Sequence, residues 1–288
     1  MAERTPDLYL LLDLGSSRLK WSLRDADGHE RARGAEAGIA TGVARMVQDV
    51  PRVPAGAWLA RVGAPERSQR LREALATAWP GLEVREVAPQ LVPAPDGTDA
   101  EGTFGPESGA LRSAYADGQL GVDRYCALLA ARARCPGRPV VLVDAGTAVT
   151  VDVLRADGVH AGGYILPGLY MARERMQRLL SDRVAPLAPG EGFDPWPVTD
   201  PGRNTTEALD RGWATAWAGG VAAVVTQARA AAHTAGPVAC RLAGGDAAAL
   251  RAYLDAPVTD DRGAVLDGLA VLAGLALPET GEGEDTDP

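Results

Sequence analysis

One short pattern occurs twice in this chain, and it restricts the possible architecture more than any other feature. Residues 9–23 read YLLLDLGSSRLKWSL and residues 140–154 read VVLVDAGTAVTVDVL. Each gives an apolar strand, an Asp, one residue, a Gly and two small residues of which the first carries a hydroxyl. A second strand-like stretch follows, so each copy reads as a hairpin bent at glycine. Asp13 and Asp144 lie 131 positions apart, which makes this a duplication on the scale of a domain rather than a short repeat.

The segments around the two hairpins alternate between helical and strand patterns. Residues 66–79 place Leu71, Leu75 and Ala78 on one helical face. Residues 123–134 form a helix that stops before Cys135-Pro136-Gly137. Residues 88–110 are rich in Pro, Gly and acidic side chains and read as irregular, and GGYILPGL (162–169) reads as a loop leading into a helix at about 169–180. An Ala-rich helix or helix pair spans 207–234. A strand at 238–242 ends at Gly244-Gly245, and helices follow at 246–254 and 262–276. The expected fold is α/β, two related domains with mixed sheets and a cleft between them. The expected domains are 1–118 and 119–278, followed by an acidic disordered tail at 279–288.

With 288 residues and 46% hydrophobic content, the chain can bury the cores this requires. The net charge of −9 argues against nucleic acid or an anionic membrane as partner. Phosphates remain possible ligands through backbone N–H groups. No apolar run approaches the ~20 residues that span a bilayer, and MAERTPDLYL lacks the basic and apolar regions of a secretory signal. A cytoplasmic location is expected. Cys126, Cys135 and Cys240 form no CxxC pair and read as buried small residues. His29, His160 and His233 are scattered and receive no metal role; Trp213 and Trp217, at i,i+4 spacing, read as core or subunit packing.

A D-x-G-S/T turn exposes successive backbone N–H groups and a hydroxyl that can cradle phosphoryl oxygens. Glycine permits the tight bend and the close approach of a ligand, and an Asp at the strand end can hold a metal ion. Two such turns facing each other could grip one polyphosphate from both sides. Either turn taken alone is also an ordinary Asp-Gly hairpin turn. Of 29 basic residues, only Lys20 is a lysine. It survives either by chance under a coding bias toward arginine or because a compact ammonium is needed. Strand alternation puts Arg18 and Lys20 on one face and Leu19 and Trp21 on the other, and Lys20 could then reach bound phosphates as a point charge. The glycine pair of LAGGD (242–246) can let a purine or ribose rest against backbone.

In order, D-x-G-S-S-x-x-K (13–20), LGVDR (120–124), DAGTAVTVD (144–152), GGYILPG (162–168) and LAGGD resemble the type III pantothenate kinases over residues 8–275. That family lies in the superfamily of acetate and sugar kinases, heat-shock chaperones and actin, and the resemblance implies two ribonuclease H-like domains. It implies ATP-dependent phosphorylation of pantothenate, opening coenzyme A synthesis, with Mg²⁺, with K⁺ or NH₄⁺, and with a homodimer that helps build the substrate site. By position, Asp13, Leu14, Gly15, Ser16, Ser17, Arg18, Leu19 and Lys20 match the first phosphate motif, with Asp13 also near Mg²⁺. Asp123 matches the general base, and Gly121, Val122, Asp123 and Arg124 the pantothenate segment, Arg124 facing the substrate carboxylate. Tyr115 and Thr205, or Thr206 in the next register, match further substrate contacts. Asp144 matches the monovalent-cation ligand, Thr147 an ATP-contacting hydroxyl, and Gly244 and Gly245 the adenosine site. The family's first motif usually reads D-x-G-N-T/S, so Ser16 replaces an Asn and loses an amide donor. That departure leaves open a regulator acting through a protein or metabolite, and the superfamily offers another phosphotransferase as a second alternative.

Overall fold

The computed structural model describes residues 7–50, 52–94, 109–180, 200–232, 236–254 and 257–277. In β1 (Leu8–Leu14) the period of two along a strand sorts the leucines. Leu10, Leu12 and Leu14 join Leu19, Trp21 and Leu23 of β2 (Leu19–Asp25) in one core, packed beneath α1 (Ile39–Asp49) and α2 (Pro65–Ala78). Leu11 takes the opposite face and joins a second core, and by the same alternation Asp13 lies on that face. Each fully buried leucine contributes about 1.5–3 kcal/mol, so a one-residue slip of this strand is heavily disfavoured.

The first sheet has the order β3-β2-β1-β4-β5, with β3 at Glu30–Glu36, β4 at Gly56–Arg61 and β5 at Val84–Glu86. β1 pairs antiparallel with β2, which pairs antiparallel with β3, while β4 and β5 add parallel strands on the other side. The second sheet repeats this order as β10-β9-β8-β11-β12. These strands are β8 (Val140–Ala145), β9 (Ala148–Leu154), β10 (His160–Pro167), β11 (Ala239–Ala243) and β12 (Thr259–Asp260), in the same relative directions. β7 (Leu111–Ser113) and β6 (Leu91–Pro93) extend the second sheet beyond β10. The duplication read from two hairpins is therefore a duplication of the whole strand plan.

Two helices occupy the space between the sheets, α3 (Val122–Arg134) and α7 (Ala264–Leu272), and their apolar residues share a core with Leu11 and Ala60 of the first sheet and Val140, Leu142 and Leu154 of the second. The outer face of the second sheet, with Val141, Val143, Val149 and Val151, packs under α5 (Thr205–Ala231), where Trp217 is buried. Trp213 on the same helix donates its indole N–H to the Leu169 carbonyl. α4 (Leu169–Leu179) and α6 (Ala247–Arg251) complete the second half. The result is a mixed α/β fold of five layers, helix–sheet–helix–sheet–helix. All three cysteines are buried and unpaired.

Three expectations change in detail. GGYILPG is not a loop but the strand β10, paired along its length with β9. Gly162 takes a φ of +118° at a bulge in the strand, and Gly163 serves packing, since a Cβ on it would lie 2.5 Å from the Val151 carbonyl oxygen and 2.8 Å from an Arg124 nitrogen. The Ala-rich region is one helix rather than a pair, and α6 is shorter than expected. Gly15 and Gly146 do not adopt left-handed backbone, so the bends do not require glycine for their dihedral angles. The acidic tail, His233 and residues 95–108 of the irregular segment lie outside the described residues.

α3 and α7 cross with their backbones nearly touching. A Cβ on Gly268 would lie 1.9 Å from the Cys126 carbonyl oxygen. Within an exposed helix, Gly→Ala stabilises by about 1 kcal/mol. Here the sign reverses, and Gly268→Ala is expected to destabilise by about 1–3 kcal/mol through overpacking, seen as a lower urea midpoint with an unchanged m-value.

Candidate active site

The same alternation that sorts the leucines also places the acids. In β8, Val141, Val143 and Ala145 pack on the outer side while Leu142 faces α3 and α7, so Asp144 shares the inner side with Leu142, as Asp13 does with Leu11. Both carboxylates thus end inner-facing strand positions at the same edge of the two sheets. A cleft there is lined by Asp13, Lys20, Asp144, Gly244, Asp261 and the start of α7.

The two turns meet across this cleft. Ser17 Oγ and Thr147 Oγ1 are 2.8 Å apart and hydrogen-bonded, although 130 residues separate them. Lys20 lies opposite Asp13 in the β1–β2 ladder, with its Nζ 3.5 Å from the Asp13 carboxylate and its side chain 41% exposed. Leu19 and Trp21 point into the core on the other side, as the alternation requires. The second turn is one residue tighter, so that Thr150 rather than a basic residue pairs with Asp144.

Gly244 does need to be glycine. Its φ is +98°, and a Cβ there would lie 2.1 Å from the Ala145 carbonyl oxygen. Gly245 has nothing within 4 Å of a Cβ position, which leaves its surface open to a ligand. Asp246 follows, and burial pushes its carboxyl up to about 6.

Asp123 sits in the first turn of α3, behind its N-cap Gly121 and the buried Val122, and accepts a hydrogen bond from the Arg124 backbone N–H at 2.8 Å. Its charge is felt at both inner acids. Burial raises the Asp13 carboxyl to about 6; Lys20 opposes the shift, while Asp144 and Asp123 add to it. Asp144 is raised in the same way, by burial against Lys20, with Asp123, Asp261 and Asp152 adding. Carboxylate oxygens are donors of the kind that hard cations take, although Asp13, Asp123 and Asp144 do not converge closely enough to form a three-ligand group, which among the described residues occurs only at Asp25, Asp27 and His29.

Arg124 is buried and already paired. Its Nε and Nη2 donate to Asp152 at 2.9 and 2.6 Å, and Nη2 also donates to the Tyr115 hydroxyl at 3.2 Å. Its guanidinium lies over the Tyr115 ring, 5.1 Å from the centroid. His160, fully buried, bridges Asp152 at 2.9 Å and Ser113 at 2.8 Å. Tyr115, Gly162, Gly163 and Tyr164 line a second cavity beside this network. Sequence reasoning gives His160 no metal role and misses Asp152 and Ser113 as partners of Arg124 and His160, although Asp152 ends the DAGTAVTVD motif. Thr205 and Thr206 stand in the first turn of α5, Thr205 exposed, and do not line either cavity. Arg18 is exposed on the first turn.

Two inner sheet ends thus carry facing hairpin turns, with acids and a lysine beside them. A Sinorhizobium meliloti structure described as a 2-dehydro-3-deoxygalactonokinase has a TM-score of 0.53 at 16% identity, over 92% of this chain and 98% of that one. A Campylobacter jejuni structure described as a Baf family transcriptional activator has a TM-score of 0.52 at 17% identity, over 92% and 97%. These two likenesses concern the fold alone. The family model for type III pantothenate kinase matches residues 9–227. Type III pantothenate kinases of Burkholderia multivorans and Chromobacterium violaceum are 32% and 35% identical over 284 and 266 residues. The matches cover 93% and 92% of this chain and 97% and 98% of those proteins. The chain belongs to the type III pantothenate kinase family and is a phosphotransferase. Among the described residues, no helix is long and apolar enough to cross a membrane.

The raised Asp13 pKa has a stability consequence. Between the unfolded value of 3.8 and about 6 the folded state binds more protons, so stability falls as pH rises through that window. A shift of this size corresponds to about 3 kcal/mol at most. In metal-free buffer, Asp13→Asn is expected to raise the melting temperature at pH 7.5 relative to wild type. The difference should vanish below about pH 4.

Proposed function

We propose that this chain transfers the γ-phosphoryl group of ATP to the primary hydroxyl of pantothenate, giving 4′-phosphopantothenate, the first step of coenzyme A synthesis. The observation that carries the reading is the contact of the two turns at Ser17 and Thr147, with Lys20, Asp13 and Asp144 behind them. Phosphoryl transfer needs positioning and charge neutralisation more than covalent chemistry from the protein, and this cleft offers both. The backbone N–H groups of residues 14–19 and the hydroxyls of Ser16, Ser17 and Thr147 grip the phosphates. Lys20 neutralises them as a point charge, and Gly244 and Gly245 receive the adenosine. Asp123 uses its free carboxylate oxygen to accept the pantothenate hydroxyl proton as the new O–P bond forms and the β–γ bridging bond breaks, releasing ADP.

The acid end of pantothenate is received by the segment Gly121–Arg124 with Tyr115. With Nε and Nη2 of Arg124 committed to Asp152, Nη1 is the nitrogen left to meet a carboxylate. Asp13 would hold Mg²⁺, and Asp144 a K⁺ or NH₄⁺ ion. Bound there, Mg²⁺ supplies charge neutralisation on the phosphate oxygens. The protein acts in the cytoplasm as a homodimer. Exposed apolar side chains gathered on β10 and α4, namely Ile165, Met171, Met176 and Leu179, support a subunit interface there. Thr205, at the surface end of α5, then serves the substrate site in the assembled dimer. The family match over most of the chain favours this kinase over a regulator or another phosphotransferase.

A coupled ADP-release assay with pantothenate, MgATP and either KCl or NaCl tests the reading. Asp123→Asn is expected to lower kcat by about 10²–10⁴-fold with little change in MgATP affinity. Pantothenate-independent ADP release, or full activity in Asp123→Asn, would contradict the assignment.

A further inference from the structure

The two halves brace their phosphate-facing turns differently, and the difference points to a residue outside every motif. In the second half the brace is backbone. Gly168 donates its N–H to the Thr147 carbonyl at 3.2 Å, and Asp246, in the β11–α6 connection, donates its N–H to the Ala145 carbonyl at 2.9 Å. Gly244 packs directly on the same strand end. The β4–α2 connection occupies the equivalent place in the first half, where Val62 donates its N–H to the Leu14 carbonyl at 3.0 Å as Asp246 does to Ala145, but beyond that strand end the turn itself is held by a side chain. Arg67, in the first turn of α2, donates from Nη1 to the Gly15 carbonyl at 2.7 Å and to the Ser16 carbonyl at 3.1 Å.

This contact fixes more than two oxygens. In a trans peptide the C=O and N–H groups point in opposite directions, and the chain has no cis peptide bonds among the described residues. Holding the Gly15 and Ser16 carbonyls toward α2 turns the next two N–H groups, those of Ser16 and Ser17, away from α2. Neither N–H has an acceptor among the described residues. Ser17 also carries the hydroxyl that meets Thr147 across the cleft. The guanidinium is half-buried and always charged, so these are charge-assisted hydrogen bonds, stronger than neutral ones. Serine at position 16 has a short side chain, and nothing in the turn itself replaces that support.

We propose that Arg67 is a positioning residue for nucleotide binding, which pre-organises the backbone N–H groups of Ser16 and Ser17 to receive phosphoryl oxygens. The inference rests on the phosphotransferase reading above and concerns the nucleotide half of the site alone. A flexible turn would have to order itself on each binding event, and the cost would appear in nucleotide affinity.

The test compares wild type, Arg67→Ala, Arg67→Lys and the control Arg70→Ala, whose parent side chain is exposed on the same helix. MgATP binding is measured by calorimetry, and KM for each substrate by the coupled assay. Arg67→Ala is expected to weaken MgATP binding by about tenfold, the worth of one or two charge-assisted contacts, while KM for pantothenate stays within about twofold of wild type. Arg67→Lys, which keeps the charge but not the planar fork, should fall between, and guanidinium ion in solution should restore part of the loss in Arg67→Ala. Melting curves show whether each variant is folded; if Arg67→Ala is not, the Arg67→Lys result decides. Unchanged MgATP binding in the folded variants, or equal losses for both substrates without guanidinium rescue, would overturn the inference. Wild type that binds no MgATP would instead overturn the phosphotransferase reading itself.

Discussion

The close crossing of α3 and α7 sets the geometry on which everything else depends. Because Gly268 carries no side chain, the α7 backbone lies against the Cys126 carbonyl, and the two sheets are held at a fixed distance on either side of this pair. Arg24 from β2 and Arg134 from the end of α3 both donate to Asp267 on α7, each at 2.5 Å. That buried ion cluster ties the first sheet, α3 and α7 together, and removal of the shared carboxylate would take a short ion pair from each guanidinium. With the sheets so fixed, the hairpin turns at their ends have only one separation open to them. At that separation the hydroxyls of Ser17 and Thr147 touch.

The electrostatics of the cleft follow from where strand alternation puts acids. Asp13 and Asp144 are carried to the inner face by the same period that buries Leu11 and Leu142, and Asp123 arrives from the start of α3. Folding therefore gathers negative charge where solvent is scarce, against a single ammonium. Such a site is costly to the empty protein and favourable once cations and phosphates arrive together, which is the economy expected of a phosphoryl-transfer centre. Arg124 shows the opposite arrangement. Its charge is matched by Asp152 inside the protein, and the His160–Ser113 pair holds that carboxylate, so the guanidinium is oriented before any substrate enters.

Much of this was legible in the sequence. The two D-x-G turns and the facing of Lys20 away from Leu19 and Trp21 follow from duplication and alternation, which are local properties of a strand. Most of α2, α3, α5 and α7 was visible through helical periodicity. β3 was not, because ERARGAE is a largely exposed edge strand with little apolar signal, and α1 opens behind Gly38 without a side-chain cap. β10 was hidden by two glycines, Gly162 at a bulge with positive φ and Gly163 where Arg124 and Asp152 meet, a contact between residues 28 positions apart. Arg67 was hidden for the same reason: its partners lie more than fifty residues away in the chain, and among so many arginines its position carries no mark of its own.

The central claim is that the two turns act as one clamp on the nucleotide. A double-mutant cycle with Ser17→Ala, Thr147→Ala and the double variant, read as MgATP dissociation constants, tests it most directly. Residues that share one ligand and one contact should show a coupling of about 0.5–3 kcal/mol. Losses that add to within about 0.5 kcal/mol would mean that the turns bind independently, and the clamp would have to be abandoned.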